Sequence, residues 1–159
     1  MKKLITMLLA ALLLVSWGGT AAAYVGDETS QGTYTIGYWK NHPGAMADLL
    51  PIRLGASGGE KSVMVTTTSQ AISFLKMTGG ASNGIVKLYA QLLAAKLNNA
   101  NGADKSAVAA VISAADSFLA SHNAADWASL SSADKSKVLS WMTTLDRYNN
   151  GIIGPGHAD

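Results

Sequence analysis

The 159-residue chain contains no cysteine. That absence excludes disulfides, cysteine-ligated zinc, thiol redox chemistry and cysteine nucleophiles. Charge is also scarce, at 14% of residues. Glu28 and Glu60 are the only glutamates, and both fall in weakly patterned segments. A general acid/base pair would therefore have to use aspartates. The chain has no G-x-S-x-G, no H-E-x-x-H and no glycine-rich phosphate loop, and no serine has a base beside it in an enzyme-like motif. Residues 146–151 begin and end like a calcium loop. Tyr148 occupies its third position, however, and His157 stands where a bidentate glutamate belongs.

Long apolar runs are missing except for one, at residues 4–15. Lys2 and Lys3 precede it, and Ala21 and Ala23 follow at the −3 and −1 positions of an A-x-A cleavage site. This is the pattern of a secretory signal peptide over 1–23, cut after Ala23. The run is too short for a membrane anchor, which needs about 20 apolar residues. Removing Lys2 and Lys3 leaves ten basic and ten acidic side chains, a balance that argues against nucleic acid as a partner. The expected product is secreted or periplasmic, with no stable membrane insertion after cleavage. Its neutral charge and many alanines are compatible with self-association.

Residues 24–32 are small and polar and read as a flexible lead, followed by one globular domain over 33–159. From 33 to 38 the residues alternate, with Tyr34, Ile36 and Tyr38 on one face and Thr33, Thr35 and Gly37 on the other. That alternation predicts a short strand. Pro43 suits the first position of a short helix to about Leu50, which Pro51 stops. Ile52 to Leu54 and Val63 to Val65 flank a glycine-rich loop and are set to pair as a hairpin.

Helix dominates thereafter. Thr67 and Gln70 have capping-box spacing, and the helix behind them, presenting Ile72 and Leu75, is expected to stop near Gly79-Gly80. Ser82 is expected to open the next helix, over 83–98. Its apolar side holds Ile85, Leu88, Tyr89, Leu92, Leu93 and Ala95, with Lys87, Gln91 and Asn98 opposite; so broad a stripe predicts the most buried helix. After a turn over 98–102, Asp104 is expected to cap a helix with Val108, Val111, Ile112, Ala115, Phe118 and Leu119 inward. Ser131 to Asp134 should cap the last helix, which buries Val138, Trp141, Met142, Leu145 and Tyr148 and stops at Asn149-Asn150-Gly151. The expected fold is mainly α, a compact bundle of about four to five helices with a short N-terminal β element.

The densest chemical constellation is Tyr38-Trp39-Lys40-Asn41-His42-Pro43. Its aromatic rings could stack on a sugar or peptide while the polar tips fix orientation. In the competing arrangement Tyr38 and Trp39 plug the core, and Asn41 or His42 caps the helix at Pro43. In the tail, Pro155 lies between two glycines and presents His157. His42, His157 and a carboxylate such as Asp146 or Asp159 are the candidate ligands of a divalent metal. His122 follows a predicted helix and is expected to meet its last carbonyls.

Residues 33–43, Thr-Tyr-Thr-Ile-Gly-Tyr-Trp-Lys-Asn-His-Pro, resemble the opening motif of secreted bacterial proteins with an uncharacterised GYWKNHP module. The stretches 92–98 and 101–104, and the closing 145–151 with 154–157, are similar to that module in the same order. The resemblance implies an extracellular or cell-surface setting and no established reaction. Related modules often carry a cysteine before the opening motif and another after the closing histidine, where this chain has residues such as Gly32 and Ala158. The resemblance thus implies that the two motifs are spatial neighbours, with Trp39, His42, Asn150 and His157 around one site. The candidate ligand-binding set is Tyr38, Trp39, Lys40, Asn41, His42, Asn150 and His157.

Three functional classes remain open at this level. The first is an exported, non-enzymatic extracellular or cell-surface module with a binding, adhesion or structural role and a protein or glycan partner. The second is a small periplasmic or extracellular metal- or ligand-binding protein that uses the joined YWKNHP and GPGH motifs. The third is a hydrolase with a His/Asp site.

Overall fold

A computed structural model describes residues 31–158. The expected signal peptide, the lead up to residue 30 and Asp159 lie outside the described residues. The described chain is mainly helical with one small antiparallel sheet. Two short helices, α1 (Ile36–Asn41) and α2 (Pro43–Ala47), precede a hairpin of β1 (Ile52–Leu54) and β2 (Val63–Val65). Then come α3 (Thr68–Leu75), α4 (Gly84–Ala100), α5 (Ala109–Leu119), a 3-10 turn (Ala124–Ser129) and α6 (Ser132–Asn149). In the hairpin Ile52 faces Val65 and Leu54 faces Val63, so the two runs that flank the glycine-rich loop pair as expected.

Helix α4 is the axis of the fold. At 17 residues it is roughly 25 Å long, at 1.5 Å per residue. Ile85, Leu88, Leu92, Leu93, Ala94, Ala95 and Leu97 on it are fully buried. The expected polar side needs correction, because Gln91 and Asn98 are buried as well. Other elements pack α4 on nearly every side, so those two amides must find partners inside the protein. Asn83, rather than Ser82, is its N-cap, accepting from the N–H groups of Ile85 and Val86.

The expected strand over 33–38 is also corrected, since the segment turns into α1. Thr35 caps that helix by accepting from the Tyr38 N–H, and the turn carries Trp39 into the core at 1% exposure. Six alternating residues form a strand only against a partner edge, and only Thr33 has one, in a parallel bridge to His157. A hydroxyl cap and a buried indole one helical turn on win over that alternation.

The Thr67–Gln70 capping box is present, and so is the Ser131 cap on α6. Helix α2 ends at Ala47, short of Leu50. Asp104 does not cap α5; its carboxylate accepts from the Ser106 N–H and hydroxyl in the turn before it. The 3-10 turn was not expected. It is capped by Asn123 and Asp126 and places the Trp127 ring against Gly84, where any Cβ would collide with it. Trp141 and Met142 on α6 are half-buried rather than buried.

Candidate functional site

The opening and closing segments meet through their backbones. The Thr33 N–H donates to the Gly156 carbonyl at 2.8 Å, and the Ala158 N–H donates to the Thr33 carbonyl at 3.0 Å. The buried Thr33 hydroxyl lies 2.8 Å from the Tyr148 carbonyl and 3.1 Å from that of Gly156. The approach is so close that a Cβ on Gly32 would stand 2.5 Å from the Ala158 nitrogen.

Behind this seam a chain of buried amides links the three stretches singled out from the sequence. Asn98 of α4 is its hub. Its Oδ1 accepts from the Tyr34 N–H at 2.9 Å and from the Trp39 indole N–H at 3.1 Å. Its Nδ2 donates to the Tyr34 carbonyl at 2.9 Å and to Asn149 Oδ1 at 3.0 Å. Asn149 Nδ2 in turn donates to the carbonyl and Oε1 of Gln91, at 2.9 and 2.8 Å. Gln91 Nε2 donates to Asp146 Oδ1 at 2.7 Å, and Asn150 Nδ2 reaches the Asp146 carbonyl at 2.8 Å. Among the described residues every buried side-chain nitrogen and oxygen has a partner. A fully satisfied polar network in a low-dielectric interior fixes one arrangement of the elements it joins.

Each proposed site residue has a definite place. Trp39 is a core residue tied to Asn98. Tyr38 is half-buried and sandwiched, with Tyr34 stacked at 3.9 Å and His42 at 4.1 Å between ring centroids. Both faces of its ring are covered, so no sugar can stack on it. Burial and the adjacent Tyr34 push the Tyr38 phenol above its ordinary pKa. Lys40 is partly exposed in the last turn of α1, and Asn41 is exposed. Asn150 is exposed and bound to Asp146.

His42 does not cap the helix at Pro43 with its side chain. Its Nδ1 lies 2.8 Å from the Tyr38 carbonyl, at the C-terminal end of α1. His122 repeats the device on α5, stacked on Phe118 at 4.2 Å with Nδ1 3.0 Å from the Phe118 carbonyl. A carbonyl only accepts, so Nδ1 carries the proton in both rings, which in the neutral form leaves Nε2 as an acceptor. This arrangement closes the C-terminal end of a helix, where free carbonyls favour a donor.

The metal trio is not gathered. Among the described residues no group of three or more His, Asp or Glu side chains is placed to hold a metal ion. His42 stacks on α1, Asp146 is held by Gln91 and Asn150, and the His157 Nδ1 contacts the Ala158 carbonyl. Trp39, the buried residue of α1, does not share a surface with the exposed His42 and His157.

Sequence reasoning missed Thr33, Gln91, Asn98 and Asn149 as the joint. One signal was available: Gln91 and Asn98 are seven residues apart, hence on one face of a helix that is otherwise apolar or alanine on nearly every side. No family model, no characterised protein and no solved structure matches this chain.

Proposed function

We propose that the protein is an exported, non-enzymatic module that works at the cell surface or outside the cell, in a binding, adhesion or structural role. One observation carries this: the polar groups of the opening, central and closing stretches are directed at one another in the buried network. Those residues act on the fold, joining residues 33–39 to α4 and α6, instead of presenting reactive groups. The A-x-A signal and the balanced charge of the remaining chain support export and a partner other than nucleic acid. No described helix is long and apolar enough to cross a membrane.

Fractionation of producing cells, with the N-terminus of the protein determined by mass spectrometry, tests this role. The expected result is a chain beginning at Tyr24 in the periplasmic, surface or medium fraction. A chain retaining residues 1–23 in the cytoplasm contradicts it. So does hydrolytic turnover that His42→Ala or His157→Ala abolishes while the fold is kept.

A further inference from the structure

A groove of about 320 Å3 lies between the loop after β1, the segment before α5 and the face of α5 from Ala109 to Ser117, near the lower end of the roughly 300–1,000 Å3 of small-molecule sites. Ala56 and Ile112 line it with apolar surface, and Lys105, Ser113, Asp116 and Ser117 line it with polar groups.

Its walls are held in place by the protein itself. Asp116 accepts from Lys96 Nζ at 2.7 Å on both oxygens and from the Gly55 N–H at 2.9 Å. The Ser62 hydroxyl donates to the Ala56 carbonyl at 2.7 Å, and the Lys61 N–H donates to the Ala120 carbonyl at 3.0 Å. Ser117 gives its proton to the Ser113 carbonyl at 2.9 Å, so its remaining lone pairs are free to accept. Within the described residues the Ser113 hydroxyl and the Lys105 ammonium make no hydrogen bond or ion pair. Lys96 compensates the charge of Asp116, and Arg53 is close enough to repel Lys96. Among the charged residues that line the groove, Lys105 is therefore the one left uncompensated, and it is positive.

We propose that this groove binds a uronic-acid sugar: one carboxylate on a ring of hydroxyls, free or as a unit of an acidic polysaccharide. The Lys105 ammonium meets the carboxylate, and a charged partner makes that hydrogen bond stronger than a neutral one. Ser113, Ser117 and the one remaining lone pair on Asp116 Oδ2 meet the hydroxyls, and Ile112 and Ala56 face the C–H side of the ring. The proposal deepens the binding role given above and rests on it.

Amide NMR titration of the processed protein tests it, with sodium glucuronate, glucose, sodium acetate and a short oligogalacturonide as probes. Glucuronate is expected to shift the signals of Ala56 and of residues 112–117 saturably. Glucose and acetate should bind at least tenfold more weakly, the equivalent of about 1.4 kcal/mol. Lys105→Ala should weaken glucuronate binding at least tenfold, and Lys76→Ala, at an exposed lysine outside the groove, should leave it unchanged. Tighter binding of the oligomer identifies a polysaccharide as the source, and equal binding identifies the free sugar. Absence of saturable shifts overturns the proposal, as do equal shifts with acetate or a response that survives Lys105→Ala. Because the titration is done in vitro, a silent groove leaves the export result standing, and a cytoplasmic protein leaves the groove result standing.

Discussion

Asn98→Leu is the most informative perturbation of the buried joint. Leucine keeps the same four side-chain heavy atoms, with bulkier methyl tips, and removes all four hydrogen bonds made by the amide. Two groups are then stranded outright: the Trp39 indole N–H and Asn149 Oδ1, on residues 1% and 0% exposed. The backbone N–H and carbonyl of Tyr34 lose their partners in a half-buried setting. An unsatisfied buried group costs about 1–3 kcal/mol, and such costs are not strictly additive, so the expected loss is about 3–6 kcal/mol. Against a total of about 5–15 kcal/mol for a domain, that is a large fraction. Urea unfolding followed by tryptophan fluorescence measures it, with Ser140→Ala on the exposed face of α6 as the control. The midpoint should fall sharply at unchanged slope, and Tm should drop by roughly 10–20 °C. A loss below about 1 kcal/mol, the size of a single ordinary hydrogen bond, refutes the view that these amides hold the three stretches together.

Other consequences can be checked independently. Gly32→Ala places a Cβ 2.5 Å from the Ala158 nitrogen and should cost about 1–3 kcal/mol in the same urea assay; a neutral result means the seam opens freely. Asp116→Ala leaves Lys96 half-buried without its counter-ion and strands the Gly55 N–H, for an expected loss of about 2–3 kcal/mol, whereas a change within 0.5 kcal/mol, roughly that of an ordinary surface site, contradicts it. Burial raises the phenols of Tyr89 and Tyr148 to about 12, the Asp126 charge adding to the first and Asp104 to the second. A group whose folded pKa is raised stabilises the protein fully below its unfolded value near 10 and loses that stabilisation as pH climbs toward 12. Absorbance titration at 295 nm should therefore show Tyr89 and Tyr148 ionising last, as the protein unfolds; all tyrosines ionising together near pH 10 excludes this. Finally, Tm measured with chelator and then with zinc, copper or calcium should not change. A rise that vanishes in both His42→Ala and His157→Ala would instead join those histidines in a metal site.

The helices were legible where a local signal settles them. Thr67 and Gln70 sit at the spacing a capping box needs, and Ser131 caps α6 through hydrogen bonds made within one turn. The hairpin was legible because two short apolar runs, 52–54 and 63–65, flank a glycine-rich loop. Over residues 33–38 the alternation is real but short, and the deciding interactions are the Thr35 cap and the burial of Trp39 against α4. Polarity alone places Gln91 and Asn98 on an outer face, because it cannot distinguish a solvated amide from one partnered inside. Their partners lie 51 to 64 positions away in the chain, beyond the reach of any periodicity argument. The histidines divide in the same way. His122 follows from the local rule at helix ends. His42 obeys that rule too, but the proline beside it suggested the following helix instead.

The most direct test of the central claim, that the three stretches form one buried structural joint, is hydrogen exchange at the Trp39 indole N–H and the Asn98 and Asn149 side-chain amides. If the joint is closed, these protons exchange only through global unfolding, with the same free energy as the slowest backbone amides of α4. Exchange as fast as that of surface amides, with the α4 backbone still protected, would show that the joint is open in solution and that these residues are free for another task.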